Sequence, residues 1–287
     1  MTNATSTSTS KSKSTDDVLV LGGTGKSGRR VAAGLAARGR SVRIGSRAGD
    51  PPFLWEDRGT WAPALEGTAA AYIAYSPDLA APEAAGDVGA FAELAVRQGV
   101  RRLVLLSGRG EAGALRAEEA VRDSGADWTV VRSSWFCQNF SEDYLLEPVL
   151  AGEIALPAGE VGEPFVDLDD LAEVVVAALT EPGHVGRLYE VTGPRLLSFG
   201  EAAAEIARAT GRDIRYVSLP ADDYAALLAE HGLPAELVGL LTALFTEVLD
   251  GRNACLADGI HQALGRPPRD FAAYAARTAA SGVWTPA

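Results

Sequence analysis

Between residues 18 and 131 the chain alternates two patterns: short runs dominated by apolar residues, and longer stretches in which apolar positions recur every three or four residues. The short runs fall at 18–21, 41–44, 71–74, 102–106 and 128–131, and the longer stretches at 26–37, 83–98 and 114–123. Runs this short, bounded by turn residues, predict strands, and the 3.6-residue period predicts amphipathic helices. The strands are nearly continuous in apolar residues, as strands covered on both faces must be, so the succession predicts βαβ units in a doubly wound parallel sheet.

After Arg132 the rhythm breaks. Proline and glycine are frequent over 148–164, and a helix over 168–179 and a strand over 188–191 then extend the sheet. Beyond Pro194 the periodicity predicts helices over 199–210, 222–231, 235–249 and 271–279, with one short run at 215–219. The expected organisation is α/β: a Rossmann-like NAD(P)-binding domain over 17–193 and a small, mainly helical substrate lobe over 194–287. Residues 1–16 are almost all Ser, Thr, Asn and Lys, a composition that cannot offset the entropy of ordering and predicts a disordered tail.

Charge narrows the partners. A net charge of −12 opposes general attraction to nucleic acid or an anionic membrane. No window approaches the roughly 18 apolar residues of a membrane span, and no apolar segment follows the first lysines, so a cytoplasmic protein, neither exported nor inserted, is expected. Two cysteines, Cys137 and Cys255, make no disulfide framework, and three histidines without HxxxH spacing make no metal site. The expected partner is a small-molecule substrate, with the chain a monomer or homodimer.

The candidate chemistry starts at Leu21-Gly22-Gly23-Thr24-Gly25-Lys26-Ser27-Gly28, placed between a strand and a helix. Small residues there let backbone approach a pyrophosphate, and the free N–H groups and dipole of the helix start favour its charge. Gly25-Lys26-Ser27 also spells the end of a triphosphate-binding loop, but that motif needs glycine where Val20 stands, inside the strand. Cofactor choice is read at the end of the second strand. Gly45-Ser46-Arg47 stands there, with no acid before Asp50. The cofactor expected is therefore NADP(H), with Arg47, and Lys26 as a second cation, on the 2′-phosphate.

Ligands of such sheets lie beyond the carboxyl ends of the strands, which places Tyr75, Ser76, Pro77, Ser107 and Ser133 along the cofactor. The loop 133–140 should flank the nicotinamide, with Trp135, Phe136, Phe140 and Phe165, and Tyr224, Leu244 and Phe245 from the lobe, around an apolar substrate. Cys137 is expected to be buried and inert, Asp167, Asp169 and Asp170 to cap a helix, and His184 to be solvated.

These residues resemble the NmrA-like atypical short-chain dehydrogenases, and within them the ergot-alkaloid festuclavine/agroclavine dehydrogenase type. The resemblance spans almost everything after the tail: GGTGK (22–26) with Ser46-Arg47, RLVLLS (102–107), Ser124-Gly125 before WTVVR (128–132), WFxxNF (135–140), FVDLDD (165–170), YEVTGP (189–194) and GRPPRDF (265–271). It implies a dinucleotide-dependent oxidoreductase with Asn139 beside the cofactor. The main short-chain branch uses a Tyr-x-x-x-Lys pair to protonate substrate, and many NmrA-like enzymes carry a lysine shortly before the segment matching 116–119. The lysines here are Lys11, Lys13 and Lys26, so neither is available. Hydride delivery to an acceptor that is already electrophilic needs orientation above all. Candidate proton donors by position are Ser107, Ser133, Tyr144, Tyr224 and Tyr75. The expected function is an NADPH-dependent reductase of a small apolar metabolite (iminium, enone, quinone or carbonyl); the alternative is a non-catalytic NADP(H)-binding redox sensor, since NmrA-like relatives include regulators.

Overall fold

Val18 and Val20 pack into one hydrophobic cluster while Leu19 and Leu21 pack into another, and the same odd–even split separates Ala70 and Tyr72 from Ala71 and Ile73, and Val104 from Leu103 and Leu105. Successive side chains of a strand leave opposite faces, so an unbroken apolar run is what a two-faced core requires. The computed structural model describes residues 17–286; the tail expected over 1–16 lies outside the described residues.

The elements are β1 (Asp17–Leu21), α1 (Lys26–Ala37), β2 (Val42–Gly45), α2 (Trp61–Leu65), β3 (Thr68–Ile73), α3 (Ala84–Arg97), β4 (Arg102–Gly108), α4 (Ala112–Asp123), β5 (Asp127–Ser133), α5 (Asn139–Glu142), α6 (Leu146–Ala151), β6 (Glu153–Leu156), α7 (Leu168–Thr180), β7 (Arg187–Val191), α8 (Phe199–Thr210), β8 (Arg215–Ser218), α9 (Ala221–Glu230), α10 (Ala235–Ala243), α11 (Gly259–Leu264) and α12 (Phe271–Ala280). Six strands form a sheet in the order β2-β1-β3-β4-β5-β7, every neighbouring pair parallel. This is the doubly wound Rossmann-like sheet expected. Strand order reverses direction beside β1, so the loops after β1 and β3 open a crevice at the sheet's carboxyl edge.

A further apolar cluster fills the lobe beyond that edge. It draws on two separated stretches, Cys137 to Phe165 and Leu197 to Trp284. The lobe is mainly helical and departs from the sequence reading at α11, a helix the periodicity did not predict, and at two further places. The run at 215–219 is a strand, β8, paired in parallel with β6, which lies in the Pro/Gly-rich stretch and has no sequence period of its own. The helix expected over 235–249 stops at Ala243 and continues as one wider turn, Leu244–Val248, closed by a Leu249 N–H bond to the Leu244 carbonyl at 3.1 Å. Such turns insert a residue into a helix and re-aim the side chains around it.

Candidate active site

The site begins at the glycine loop. Gly22 has φ of +64°, a left-handed conformation that glycine adopts without strain. A Cβ on Gly28 would stand 2.2 Å from the Gly22 carbonyl oxygen, and one on Gly23 within 2.9 Å of Ile44 and the Val20 carbonyl. The loop therefore folds against the start of α1 more closely than any side chain permits. Gly25 is the N-cap of α1, no side chain caps the helix, and no acid stands in its first turn. An uncapped N-terminus behind a closely approached backbone fits a dinucleotide pyrophosphate. Thr24 is exposed at the loop's tip, and Ser27 is buried, its Oγ accepting from the Tyr72 hydroxyl at 3.1 Å.

At the end of β2, Arg47 is exposed and has no hydrogen-bond or ion-pair partner among the described residues, while the neighbouring Ser46 carbonyl accepts from Gly49 and Phe53 N–H. Lys26 does not join Arg47. Its ammonium donates to Asn139 Oδ1 at 2.8 Å, pairs with Asp143 and lies 5.7 Å from the centre of the Phe136 ring. It thus ties α1 to α5, and the expectation of a second cation at the β2 end is corrected: the carboxylate and ring on the opposite side of the crevice draw it there.

From Lys26 and Asn139 a cleft of about 490 Å³ runs between the sheet edge and the lobe. Tyr75, Pro77, Ser107, Ser133, Trp135, Phe136, Tyr144 and Leu244 line it, as does a row of leucines, Leu233, Leu237 and Leu241. Ser76 is exposed beside Pro77. Trp135 is held edge-on by Phe199 at 5.5 Å and tilted on Phe245 at 5.0 Å. Phe140 and Phe165 stand behind this wall, packed on Phe199 and Phe271 in the lobe's core, and Tyr224 and Phe245 contact each other there at 5.5 Å. The structure thus places the first two in packing rather than on the cleft surface, because an apolar residue between two hydrophobic layers fills the interior first.

The hydroxyls divide by where their protons go. Ser107 donates to the fully buried Glu118 at 2.7 Å, and Tyr75 donates to Asp87 at 3.1 Å, so neither offers a proton to the cleft. Burial and the Asp87 carboxylate push the Tyr75 phenol up to about 12. The Ser133 hydroxyl has no hydrogen-bond partner among the described residues. Tyr144 is the buried side chain among the described residues whose polar atom has no hydrogen-bond partner, and desolvation raises its phenol well above the ordinary range. Tyr224, behind the wall, is pushed to about 12 by burial alone.

Among the polar residues that sequence reading missed, Arg109, Glu111, Glu163 and Asn253 also line the cleft. Arg109 is locked from several sides, paired with Glu190 at 3.4 Å and donating to the Asn253 and Cys255 carbonyls at 3.4 and 3.2 Å, while Asn253 donates back to the Arg109 carbonyl. Glu190 in turn meets Arg132, which grips Glu118 through two 2.7 Å bonds, so a charge network runs under the cleft floor to Ser107. Burial pushes the carboxyls of Glu111 and Glu163 up to about 7, Glu111 with the help of the nearby Asp78 charge. RLVLLS ends two residues before Arg109, so position after β4 was an available signal; nothing in the sequence pointed to Glu163.

Other expectations resolve by contact. Cys137 is buried, with its thiol pushed up by desolvation. Asp167 caps α7 by accepting from the Asp169 N–H at 3.0 Å, but Asp170 is fully buried and paired with Arg266 and Arg269. His184 is not solvated: it is buried, with Nδ1 2.8 Å from the Tyr189 hydroxyl, because its loop folds back over β7.

No protein-family model matches the chain. Full-length relatives do. It is 32% identical to the NAD(P)H azoreductase of Xenophilus azovorans, over 92% of this chain and 98% of the relative, and 32% identical to festuclavine synthase II of Penicillium roqueforti, over 88% and 95%. The chain belongs to the NmrA-like atypical short-chain dehydrogenase/reductase family. The chain is an NAD(P)H-dependent oxidoreductase. The fold agrees: triphenylmethane reductase of Citrobacter sp., solved with NADP(H), superposes with a TM-score of 0.73 at 18% identity, over 92% of this chain and 99% of that one. No described helix is long and apolar enough to cross a membrane.

Proposed function

We propose that this family member is an NADPH-dependent reductase that transfers hydride to a small, largely apolar metabolite, an iminium, enone, quinone or carbonyl compound, without a Tyr-x-x-x-Lys pair. The observation that carries this reading is the continuity of one cleft from Lys26 and Asn139, at the glycine loop, to an apolar wall of Leu106, Trp135, Phe136 and Leu241. The family's azoreductase and festuclavine synthase members, and NADP(H) in the triphenylmethane reductase structure, support it.

The loop Gly22–Gly28 and the bare end of α1 would hold the pyrophosphate, Arg47 the 2′-phosphate, and Ser107, Ser133 and Asn139 the nicotinamide end. Bound there, the dinucleotide supplies the hydride. Ser107, its own proton committed to Glu118, can only accept a hydrogen bond from whatever enters the cleft, and Ser133 can give or accept one. Trp135 and the leucine row exclude water and hold the acceptor flat. The test is NADPH and NADH binding, with NADPH oxidation followed against iminium, enone and quinone acceptors. Tighter NADPH binding and turnover of at least one acceptor class are expected. Equal or tighter NADH binding would sink the cofactor assignment, and tight NADPH binding with no oxidation by any acceptor would favour a redox sensor.

A further inference from the structure

Glu163 is an unusual carboxyl for a wall of a binding cleft. The residue is 1% exposed, yet it borders the cleft. Its backbone cannot move freely, because its N–H and carbonyl exchange bonds with Leu197 at 2.9 and 3.0 Å. Oε1 accepts from the Trp135 N–H at 3.3 Å. No other hydrogen bond to the carboxyl exists among the described residues, which leaves Oε2 unpartnered on a side chain that lines the cleft.

The neighbouring groups do not neutralise it. Arg109, from the loop after β4, acts on it at a distance but spends its guanidinium on Glu190, Asn253 and Cys255. The Ser134 hydroxyl donates to the Pro164 carbonyl at 2.6 Å, and Glu201, at the start of α8, turns to the Ser198 N–H at 2.8 Å. Glu111 and Tyr144 share the cleft, and neither is hydrogen-bonded to it among the described residues. A buried carboxylate with one weak hydrogen bond and no ion pair is costly, whereas the neutral acid satisfies the site and leaves one O–H to donate.

The geometry points to Glu163 as the proton donor of the reaction, through Oε2, when the acceptor is an enone, quinone or carbonyl compound. This rests on the reductase reading above. As hydride from a reduced nicotinamide adds to the electrophilic carbon, the π electron pair moves to the carbonyl oxygen. The Glu163 O–H breaks, its proton passes to that oxygen directly or through the conjugated enolate, and the remaining carboxylate regains a proton from water at the open cleft. An iminium needs no such proton, since hydride addition alone gives the neutral amine.

That asymmetry supplies the test. In the full chain, Glu163→Gln keeps an acceptor for the Trp135 N–H and the side chain's shape. It is expected to lower kcat for enone or quinone reduction about 100-fold, the scale of a positioned general acid, with NADPH affinity retained and iminium reduction reduced far less. The wild-type enone rate should fall with rising pH above about 7. Independently of turnover, infrared titration of the ligand-free chain should show protonated carboxyls lost with a midpoint near pH 7, of which the Glu163 share is missing from the variant and the Glu111 share remains. Equal losses on iminium and enone, unchanged enone reduction, a wild-type enzyme that reduces iminium acceptors alone, or a Glu163 titration near the ordinary 4.5 would each overturn the assignment. A wild-type chain that oxidises NADPH with no acceptor instead removes the reductase reading beneath it.

Discussion

The N-terminus of α1 and that of α8 are built for opposite purposes. At α8, Ser198 accepts from the Glu201 N–H at 3.2 Å while the Glu201 carboxylate accepts from the Ser198 N–H, a closed capping box; Asp167 and Asp270 cap α7 and α12 by the same kind of bond. At α1 the cap is Gly25, which has no side chain to offer. A capped helix start is satisfied within the protein and contributes stability. A bare one leaves N–H groups and a positive dipole end for a ligand. The cleft starts beside the bare helix end, at Lys26 and Asn139, and runs to a far end built from side chains held by other side chains.

The largest effect is expected at Gly28→Ala, whose Cβ would meet the Gly22 carbonyl oxygen at 2.2 Å with only backbone available to yield. NADPH binding, followed by fluorescence titration, should weaken by at least about 100-fold, the scale of 2–3 kcal/mol; unchanged affinity would show that the close approach of loop and helix is not what shapes the cradle. Next comes Trp135→Ala. Removing a large ring from the wall should cost about 3 kcal/mol of packing and acceptor binding together, raising KM while the NADPH dissociation constant stays put, and a parallel loss of NADPH affinity would merge the two ends that the comparison separates. Arg47→Ala should weaken NADPH by about 10-fold, as loss of a charge-assisted bond does, and leave NADH alone.

The fourth prediction concerns pH. The folded-state Glu163 carboxyl lies near 7 and its unfolded value near 4.5, so the folded form holds a proton that the unfolded chain has released between those values. Its contribution is therefore fully present below 4.5 and lost as pH rises through 7. Thermal unfolding should accordingly show Glu163→Gln gaining on the wild type between pH 5 and 8, by a margin of order 2–3 kcal/mol; parallel profiles would contradict this. The smallest effect belongs to Ser198→Ala, expected to lower stability by about 1 kcal/mol with no change in NADPH binding. A change in binding there would deny that the capped and bare helix starts serve separate ends.

The glycine loop, the strands of the main sheet and the helices on its faces were legible in sequence because each depends on local pattern. β6 and β8 were not, since four-residue strands acquire their order only by pairing with one another across about 60 intervening residues. The same holds at the site. Asn139 and Trp135 could be placed from their position after β5, whereas the committed protons of Ser107 and Tyr75, the core placement of Phe140 and Phe165, and the turning of Lys26 toward Asp143 depend on partners that packing brings in from other elements.

By itself the sequence determined that the chain would wind a parallel sheet and carry a glycine-lined helix start, because backbone conformation and hydrophobic period act over a few residues. The cleft's chemistry was decided by tertiary structure. Burial against Trp135 and Leu197 is what makes the Glu163 carboxyl an acid near neutrality, and desolvation is a property of surroundings that no residue carries in its own name.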